Sequence, residues 1–293
     1  MPPPPAAPTF PPTLARALAL PKAFVVGCQK SGTTWVQRLL GAHPEVCSRG
    51  EARLGTVLFP LLAQTARTYN EHQRAGEINR LENEQLRAVG LVAACSLFAR
   101  WLDAEPEPDR VRLIAEKTPE HAQALELLDA VFPACRVVHV IRDGRDCAVS
   151  GWFHQLRQNA TQFRAQFPTM AAYAEFFARD HWAPYIRAAR AWGVAHPDRY
   201  HELRYEDLIE RPHEGYAALF EFLGVSADDA TVSACVERTS FKAMTGRAPG
   251  EENASSHFRK GVVGDWREHL DADALAAFER PVRDLMRELA YAA

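Results

Sequence analysis

From residue 21 onward, short apolar runs alternate with longer stretches whose apolar positions recur at helical spacing. The apolar runs predict buried strands at residues 23–27, 111–115, 136–141 and 200–204. The stretches between them predict helices at residues 64–85, 86–102, 120–131 and 170–195, with helix starts at residues 33 and 143 and mainly helical sequence after residue 204. Strands alternating with helices predict an α/β fold, in which a central parallel sheet is flanked by helices.

No repeat and no interior linker interrupts this pattern, which favours a single domain over residues 21–293. Seven of the first 12 residues are proline, so residues 1–20 are predicted to be a flexible, proline-rich arm. No basic segment followed by an apolar stretch opens the chain, and no run approaches the ~18 apolar residues of a membrane span. We therefore predict a cytoplasmic protein without a signal peptide or a membrane partner.

Composition narrows the classes of partner. The 293 residues are 47% hydrophobic and 24% charged, with 34 Lys+Arg against 37 Asp+Glu. A net charge of −3 argues against proteins that coat nucleic acid, so no nucleic-acid partner is predicted, but it does not exclude a local basic pocket. The six cysteines lie far apart, without a C-x-x-C pair or histidines at zinc spacing, which predicts reduced thiols and no metal site.

The segment Gly27-Cys28-Gln29-Lys30-Ser31-Gly32-Thr33-Thr34 nearly matches the P-loop pattern G-x-x-x-x-G-K-[ST]. A strand, a glycine-containing loop and a helix point the amides of the helix N-terminus at a phosphate. Thr33 stands where the P-loop lysine is expected, and the lysine is instead Lys30, inside the loop. This displacement suits a 5′-phosphate and its leaving group, with no evident ligand for magnesium. Three other interpretations stay open: an unrelated glycine turn, a P-loop kinase or NTPase, and a non-catalytic nucleotide-binding module.

The segment from Lys30 to Trp35 resembles the 5′-phosphosulfate loop of sulfotransferases that use 3′-phosphoadenosine-5′-phosphosulfate (PAPS). The resemblance implies the P-loop-NTPase-like sulfotransferase fold and PAPS as cofactor. It also implies that Lys30 contacts the bridging oxygen and the 5′-phosphate, and that Trp35 packs near the adenine. The residues implied to bind the cofactor in this loop are Lys30, Ser31, Gly32, Thr33, Thr34 and Trp35.

Four later segments resemble further parts of the same family. In residues 142–150, Arg142 and Ser150 match the 3′-phosphate motif, in which arginine supplies a forked charge and serine a hydroxyl. An ordinary ion pair of Arg142 with Asp143 or Asp146 is the alternative. Residues 258–266 resemble R-K-G-x-x-G-D-W, which implies a second set of phosphate contacts, and the T-S-F and Y-E-D elements imply aromatic contacts to the adenine. The residues implied there are Arg259, Lys260, Gly261, Thr239, Phe241 and Tyr205.

The catalytic base is less directly indicated. Cytosolic small-molecule sulfotransferases carry a histidine in K-T-H-x-P, whereas this chain has Lys117-Thr118-Pro119 without it. The segment His43-Pro44-Glu45-Val46 with the following Glu51 is similar to the carbohydrate and tyrosylprotein branch, which implies Glu51 as base. Burial or a hydrogen bond would be needed to make this carboxylate a better base. Glu116 is the next candidate, followed by His121 and His154, and Lys117 is expected near the transferred sulfate or the acceptor.

The acceptor is predicted to be a small molecule or a carbohydrate, and its identity and the oligomeric state stay open. Residues 55–73 and 155–180 are predicted to build the acceptor cleft, and residues 250–256 to form a mobile loop next to Arg259. The second of these regions contains five aromatic residues that either line an apolar slot or belong to the core: Phe163, Phe167, Tyr173, Phe176 and Phe177.

Overall fold

The computed structural model describes residues 11–74, 78–253 and 259–291. Five parallel strands form one sheet in the order β2-β3-β1-β4-β5. They are β1 (Lys22–Gly27), β2 (Val46–Cys47), β3 (Leu113–Lys117), β4 (Arg136–Ile141) and β5 (Tyr200–Arg204). Strand β1 lies in the centre, with β3 and β4 on either side, so its carboxyl end opens at the point where the strand order reverses. Ligands of open parallel sheets bind at this point.

The α-helices of the described residues are α1 (Pro12–Ala19), α2 (Thr33–Ala42), α3 (Phe59–Glu71), α4 (Asn83–Asp103), α5 (Leu125–Val131), α6 (Gly144–Gln166), α7 (Met170–Phe176), α8 (Ala183–Ala195), α9 (Tyr205–Glu210), α10 (Pro212–Leu223), α11 (Asp229–Thr239), α12 (Phe241–Thr245), α13 (Trp266–His269), α14 (Ala272–Glu279) and α15 (Arg283–Glu288). A π-helical segment, Phe177–Trp182, joins α7 to α8, and a second one, Leu54–Leu58, precedes α3. None of the described helices has both the length and the apolar character needed to cross a membrane.

Apolar side chains fill both faces of the sheet. Phe24 and Val26 of β1 belong to a core that also contains buried residues of α1, α4, α6 and α8. Val25, pointing to the opposite face, packs with residues of α2, α10 and α11. A strand covered on both sides needs apolar residues at every position, which is why β1 forms a continuous apolar run.

The predicted strands are found, but some boundaries differ. Strand β3 extends to Lys117, two residues past the predicted end, because Glu116 and Lys117 find polar partners and can be buried. Strand β2, with two residues, was missed. The helix predicted over residues 64–85 is not continuous: α3 ends at Glu71, and α4 starts at Asn83 with a capping box between Glu82 and Gln85.

Ordered structure also begins earlier than expected. Residues 1–10 lie outside the described residues, but Pro12–Ala19 forms α1, so the flexible arm predicted over residues 1–20 is corrected for this part. Proline at the first helical position has a φ angle suited to a helix. Leu14 and Ala17, three residues apart, are buried against the core that contains α4. The six cysteines are free and buried, in agreement with the prediction of unpaired thiols.

Candidate functional site

The loop between β1 and α2 runs directly beneath a deep cleft, here called the main cleft. Gly27 has φ +154°, and a Cβ placed there would lie 2.5 Å from the carbonyl oxygen of Val140. Gly32, with φ +100°, leaves the same 2.5 Å between a hypothetical Cβ and the Tyr205 ring. The loop therefore needs glycine at both ends because neighbouring atoms occupy the space of a side chain.

The N-terminus of α2 faces this cleft. Gly32 is the N-cap residue and has no side chain to bond the first helical amides. Thr33, Thr34 and Trp35 form the first turn and line the cleft. Unpaired amides and the helix dipole favour a negatively charged group at this position.

Lys30 projects into the main cleft with a left-handed backbone, φ +71°. Within the described residues its Nζ has no hydrogen bond or ion pair. Burial lowers the pKa of Lys30 to about 8, and the charges of Arg157, Arg142 and Lys117 act in the same direction. A half-buried, unpaired ammonium among other cations is stabilised by an anionic ligand. The neighbouring Ser31 is buried beneath the loop, does not line the cleft, and its Oγ lacks a hydrogen-bond partner among the described residues.

Aromatic residues form one end of the main cleft. The Trp35 indole donates to the carbonyl of Thr239 at 2.9 Å, and its ring meets Tyr205 edge-on with centroids 5.4 Å apart. Thr239 is buried and orients Trp35 rather than lining the cleft. Phe241 lines the cleft, and its ring occupies the space where a Cβ of Gly261 would lie. Three predicted adenine-side residues, Trp35, Tyr205 and Phe241, thus surround the same space.

Arg142 and Ser150 line the cleft from the segment after β4. The Arg142 guanidinium lies 4.3 Å above the centre of the Tyr205 ring and donates to the carbonyl of Val262 at 3.1 Å. It also pairs with Asp146 at 3.4 Å, so the alternative of an ordinary ion pair is partly realised. Asp143 pairs with Arg145 instead.

Arg259 and Lys260 line the cleft from a later segment of the chain, and carboxylates hold both side chains. Arg259 pairs with Glu252 at 2.7 Å and with Asp265, and Lys260 donates to Asp265 at 2.9 Å and to Glu268 at 2.5 Å. The Arg259 hydrogen bond lowers the pKa of Glu252 despite some burial. Metal-ligand atoms of Asp265, Glu268 and His269 lie within 4.8 Å of one another, but both carboxylates already face cations.

Residues 250–256 were predicted to form a mobile loop beside these cations. Residues 254–258, including Phe258, lie outside the described residues. Of the rest, Gly250 donates its amide to the carbonyl of Lys260 at 2.9 Å, and Asn253 donates to that of Arg259 at 3.0 Å. Backbone hydrogen bonds therefore hold residues 250–253 against the two cations.

Glu51 lines the cleft next to Lys117, whose Nζ donates to its carboxylate at 2.5 Å. Lys117 is buried and also reaches the Thr34 hydroxyl at 3.4 Å, which links Glu51 to the first turn of α2. Burial alone would raise the pKa of Glu51, but the hydrogen bond and charge of Lys117, with Arg53, lower it below the ordinary value. The hydrogen bond that Glu51 receives therefore keeps its carboxylate ionised and does not raise its pKa.

Glu116 is corrected from a candidate base to a supporting residue. Its carboxylate is fully buried and accepts from the amide of Ala52 at 2.8 Å and from the Thr118 hydroxyl at 2.6 Å. The His121 ring accepts from the amide of Gly55 at 3.0 Å and is equally buried. These residues hold the loop that carries Glu51 and do not line the main cleft.

His154 does line the main cleft. Its Nδ1 lies 3.2 Å from the Arg157 guanidinium. Burial, followed by the charges of Lys30 and Arg157, lowers the pKa of His154 below its ordinary value. It is therefore neutral near pH 7.

A second cleft adjoins the first, and Gln29 lines both. Four of the five aromatic residues predicted for the acceptor region, Phe163, Phe167, Tyr173 and Phe177, are buried and pack against one another, so they belong largely to the core. Their edges form the floor of this second cleft, while amide side chains line it: Gln29, Gln155, Asn159, Gln162 and Gln166. His181 is the one titratable group besides Tyr173 that lines it among the described residues.

Among the charged residues that line the main cleft, sequence reasoning did not propose Arg53, Glu120, Asp146 and Asp265 as site residues. From the sequence, Asp146 was considered only as the partner of Arg142 in an ordinary ion pair. Its position four residues after Arg142 on a helix was a usable signal for a shared site. The contacts of Asp265 join residues within one short segment, which no periodicity indicates.

Comparison with known proteins agrees with this arrangement. Residues 21–229 match a family model described as the sulfotransferase family. Cytosolic sulfotransferase 3 of Arabidopsis thaliana is 24% identical over 196 residues, which cover 60% of this chain and 60% of that protein. For the first three curated relatives, the match spans between 55% and 60% of their length.

Two solved structures share the fold. The sulfotransferase domain of the Synechococcus olefin synthase has a TM-score of 0.56 at 22% identity, covering 93% of this chain and 95% of that one. Mouse sulfotransferase SULT7A1, solved with PAP, has a TM-score of 0.57 at 20% identity, covering 96% and 94%. These likenesses confirm the predicted α/β fold with its central parallel sheet. With a family model matching most of its length, the chain belongs to the sulfotransferase family.

Proposed function

We propose that this protein transfers a sulfuryl group from PAPS to a hydroxyl of a small-molecule or carbohydrate acceptor, with an amine as the second choice. The observation that carries the proposal is the meeting of Lys30, Arg142, Arg259 and Lys260 in one cleft whose floor also presents Glu51. These cations come from distant segments and suit a ligand with several phosphates. Family membership and a related fold solved with PAP support the same donor.

The residues present fit this donor. The α2 N-terminus and Lys30 suit the 5′-phosphosulfate, and Arg142, Ser150, Arg259 and Lys260 suit a 3′-phosphate. The aromatic end formed by Trp35, Tyr205 and Phe241 suits the adenine. Arg259 and Lys260 both pair with the carboxylate of Asp265, which shows that the two cations can bind one anionic group together.

Transfer forms a bond from the acceptor oxygen to sulfur while the bond from sulfur to the bridging oxygen breaks. The electron pair of that bond stays on the 5′-phosphate, where protonated Lys30 stabilises the charge. The acceptor proton moves to Glu51, which is ionised and therefore able to accept it. Lys117 orients Glu51 and adds positive charge beside the reacting group.

We place the acceptor in the second cleft, which meets the main cleft at Gln29. Its amide side chains offer hydrogen bonds without a fixed charge, and its aromatic floor offers apolar contact. This combination suits an uncharged hydroxyl compound with an apolar ring face, such as a phenol or a glycoside.

The test is transfer of label from [35S]PAPS to a metabolite extract, with a phenol and a glycoside as defined acceptors. We expect labelled product from the wild-type protein, and none above background from Lys30→Ala or Glu51→Gln. Glu51→Gln should still bind PAP, because the cations that we assign to the phosphates are unchanged in this variant. A kcat of Glu51→Gln equal to that of the wild type would contradict the assignment of Glu51 as the base.

The metal-independent mechanism adds a control to the same assay. Activity should persist with a chelator, since Lys30 supplies the charge that a kinase takes from magnesium. Metal-dependent turnover would favour the P-loop kinase alternative. Tight PAP binding without transfer to any acceptor would favour the non-catalytic module.

A further inference from the structure

Asp146 is buried at the start of α6 and contacts two cation-bearing segments of the main cleft, residues 142–150 and residues 259–266, here called the two sides of its basic end. Its side chain is completely shielded from solvent. Oδ2 accepts from the amide of Gly264 at 2.9 Å and faces the Arg142 guanidinium at 3.4 Å. Oδ1 accepts from the amide of Trp266 at 2.9 Å. One carboxylate therefore bonds both an arginine of the β4–α6 segment and the backbone that follows Arg259 and Lys260.

A carboxylate suits this position for a simple reason. The three groups that face it are two amide N–H donors and one cation, so it accepts charge-assisted hydrogen bonds on both oxygens. Arg142 adds a bond of its own to the carbonyl of Val262 at 3.1 Å. Residues 262–266 are thus tied at three points to Arg142 and Asp146.

We propose that Asp146 is a positioning residue for 3′-phosphate recognition. It sets the direction of Arg142 and holds residues 259–266 at the distance where Arg259 and Lys260 act on the same group. This inference rests on the proposed function, because it concerns how that donor is held. It assigns Asp146 no contact with the reacting atoms.

Asp146→Asn separates this role from simple space filling. Asparagine has nearly the same shape but loses the charge that faces Arg142, and one of its two oxygen acceptors becomes an NH₂ donor. One of the two amides, of Gly264 or Trp266, is then left facing a donor. The two sides of the basic end should lose their fixed spacing.

Asp143→Asn is the matched control. Asp143 lies three residues earlier, is buried, and accepts from the amide and guanidinium of Arg145. It does not line the main cleft. Loss of its charge should lower Tm without changing the preference of the cleft for a ligand that carries a 3′-phosphate.

The experiment measures Kd for PAP and for AMP, which lacks the 3′-phosphate, by calorimetry on the wild type and both variants. We expect Asp146→Asn to weaken the binding of PAP at least about tenfold and the binding of AMP less than about twofold. Only PAP has the 3′-phosphate that both sides of the basic end are proposed to bind. In the transfer assay, KM for PAPS should rise while kcat at saturating PAPS stays near the wild-type value. Asp143→Asn should keep the wild-type ratio of the two Kd values.

Equal weakening of PAP and AMP by Asp146→Asn, or an unchanged ratio, would overturn the positioning role. A wild-type protein that does not prefer PAP to AMP would instead refute the proposed function itself. If Asp146→Asn does not fold, amide hydrogen exchange on the wild type decides. The Gly264 and Trp266 amides should be protected without nucleotide, and exchange at unprotected rates would overturn the proposal.

Discussion

Lys30 combines an unusual backbone conformation, burial and charge in a single residue. Its left-handed φ angle directs the side chain into the main cleft, where other cations surround it. Such a conformation is uncommon for a residue with a side chain and is found at functional sites. The cost of keeping an ammonium there is offset when an anionic ligand arrives.

The pKa of Lys30 leads to a prediction for the pH dependence of activity. Burial lowers it to about 8 in the free protein, so Nζ is protonated below that pH and loses its proton above it. Because stabilising the leaving phosphate needs the charged form, kcat/KM for PAPS should fall as pH rises through about 8. Lys30→Arg stays charged, so this decline should be missing from its profile. The same decline in that variant would mean that another group titrates.

At the scale of elements, α1 and the end of β3 contain residues that support the fold in a way that the sequence did not indicate. Helix α1 was expected to be part of a flexible arm, yet Leu14 is only 7% exposed. The end of β3 was expected to supply a catalytic glutamate, yet Glu116 holds the loop that carries Glu51. In both cases the role depends on a neighbour distant in sequence.

Leu14→Ala tests whether α1 belongs to the folded core. Removing a buried leucine side chain leaves a cavity, so the free energy of unfolding should fall by about 2–5 kcal/mol. Leu61→Ala is the control, because Leu61 is 56% exposed on α3 and should change stability by less than about 0.5 kcal/mol. Urea denaturation measures both. Equal, small effects would show that α1 contributes little to stability.

At the scale of the whole molecule, a net charge of −3 coexists with a cleft lined by five cationic side chains: Lys30, Arg53, Arg142, Arg259 and Lys260. The net charge therefore gives no information about a small polyanionic ligand, which needs only a local cluster of cations. Acidic residues inside the cleft, Asp146 and Asp265, pair with the cations and hold them in place.

This concentration of charge predicts strong coupling between PAP and folding stability. PAP at about 100 times its Kd should raise the free energy of unfolding by about 2.7 kcal/mol. Adenosine at the same concentration, lacking both phosphates, should give a much smaller rise in Tm. Thermal denaturation with each compound at low and high salt measures this, and the PAP effect should decrease with salt. Equal shifts for both compounds would contradict a phosphate-directed cleft.

The sequence by itself determined the class of fold and the composition of the cofactor side. Buried parallel strands must be continuously apolar, and a phosphate loop must place glycines and a lysine at fixed spacing, so β1 and Lys30 are readable locally. Only the tertiary structure decided which partners surround Glu51, Glu116 and Asp146. Their pKa values, burial and partners depend on Lys117, Ala52 and Gly264, and these contacts arise when the chain folds back on itself across many residues.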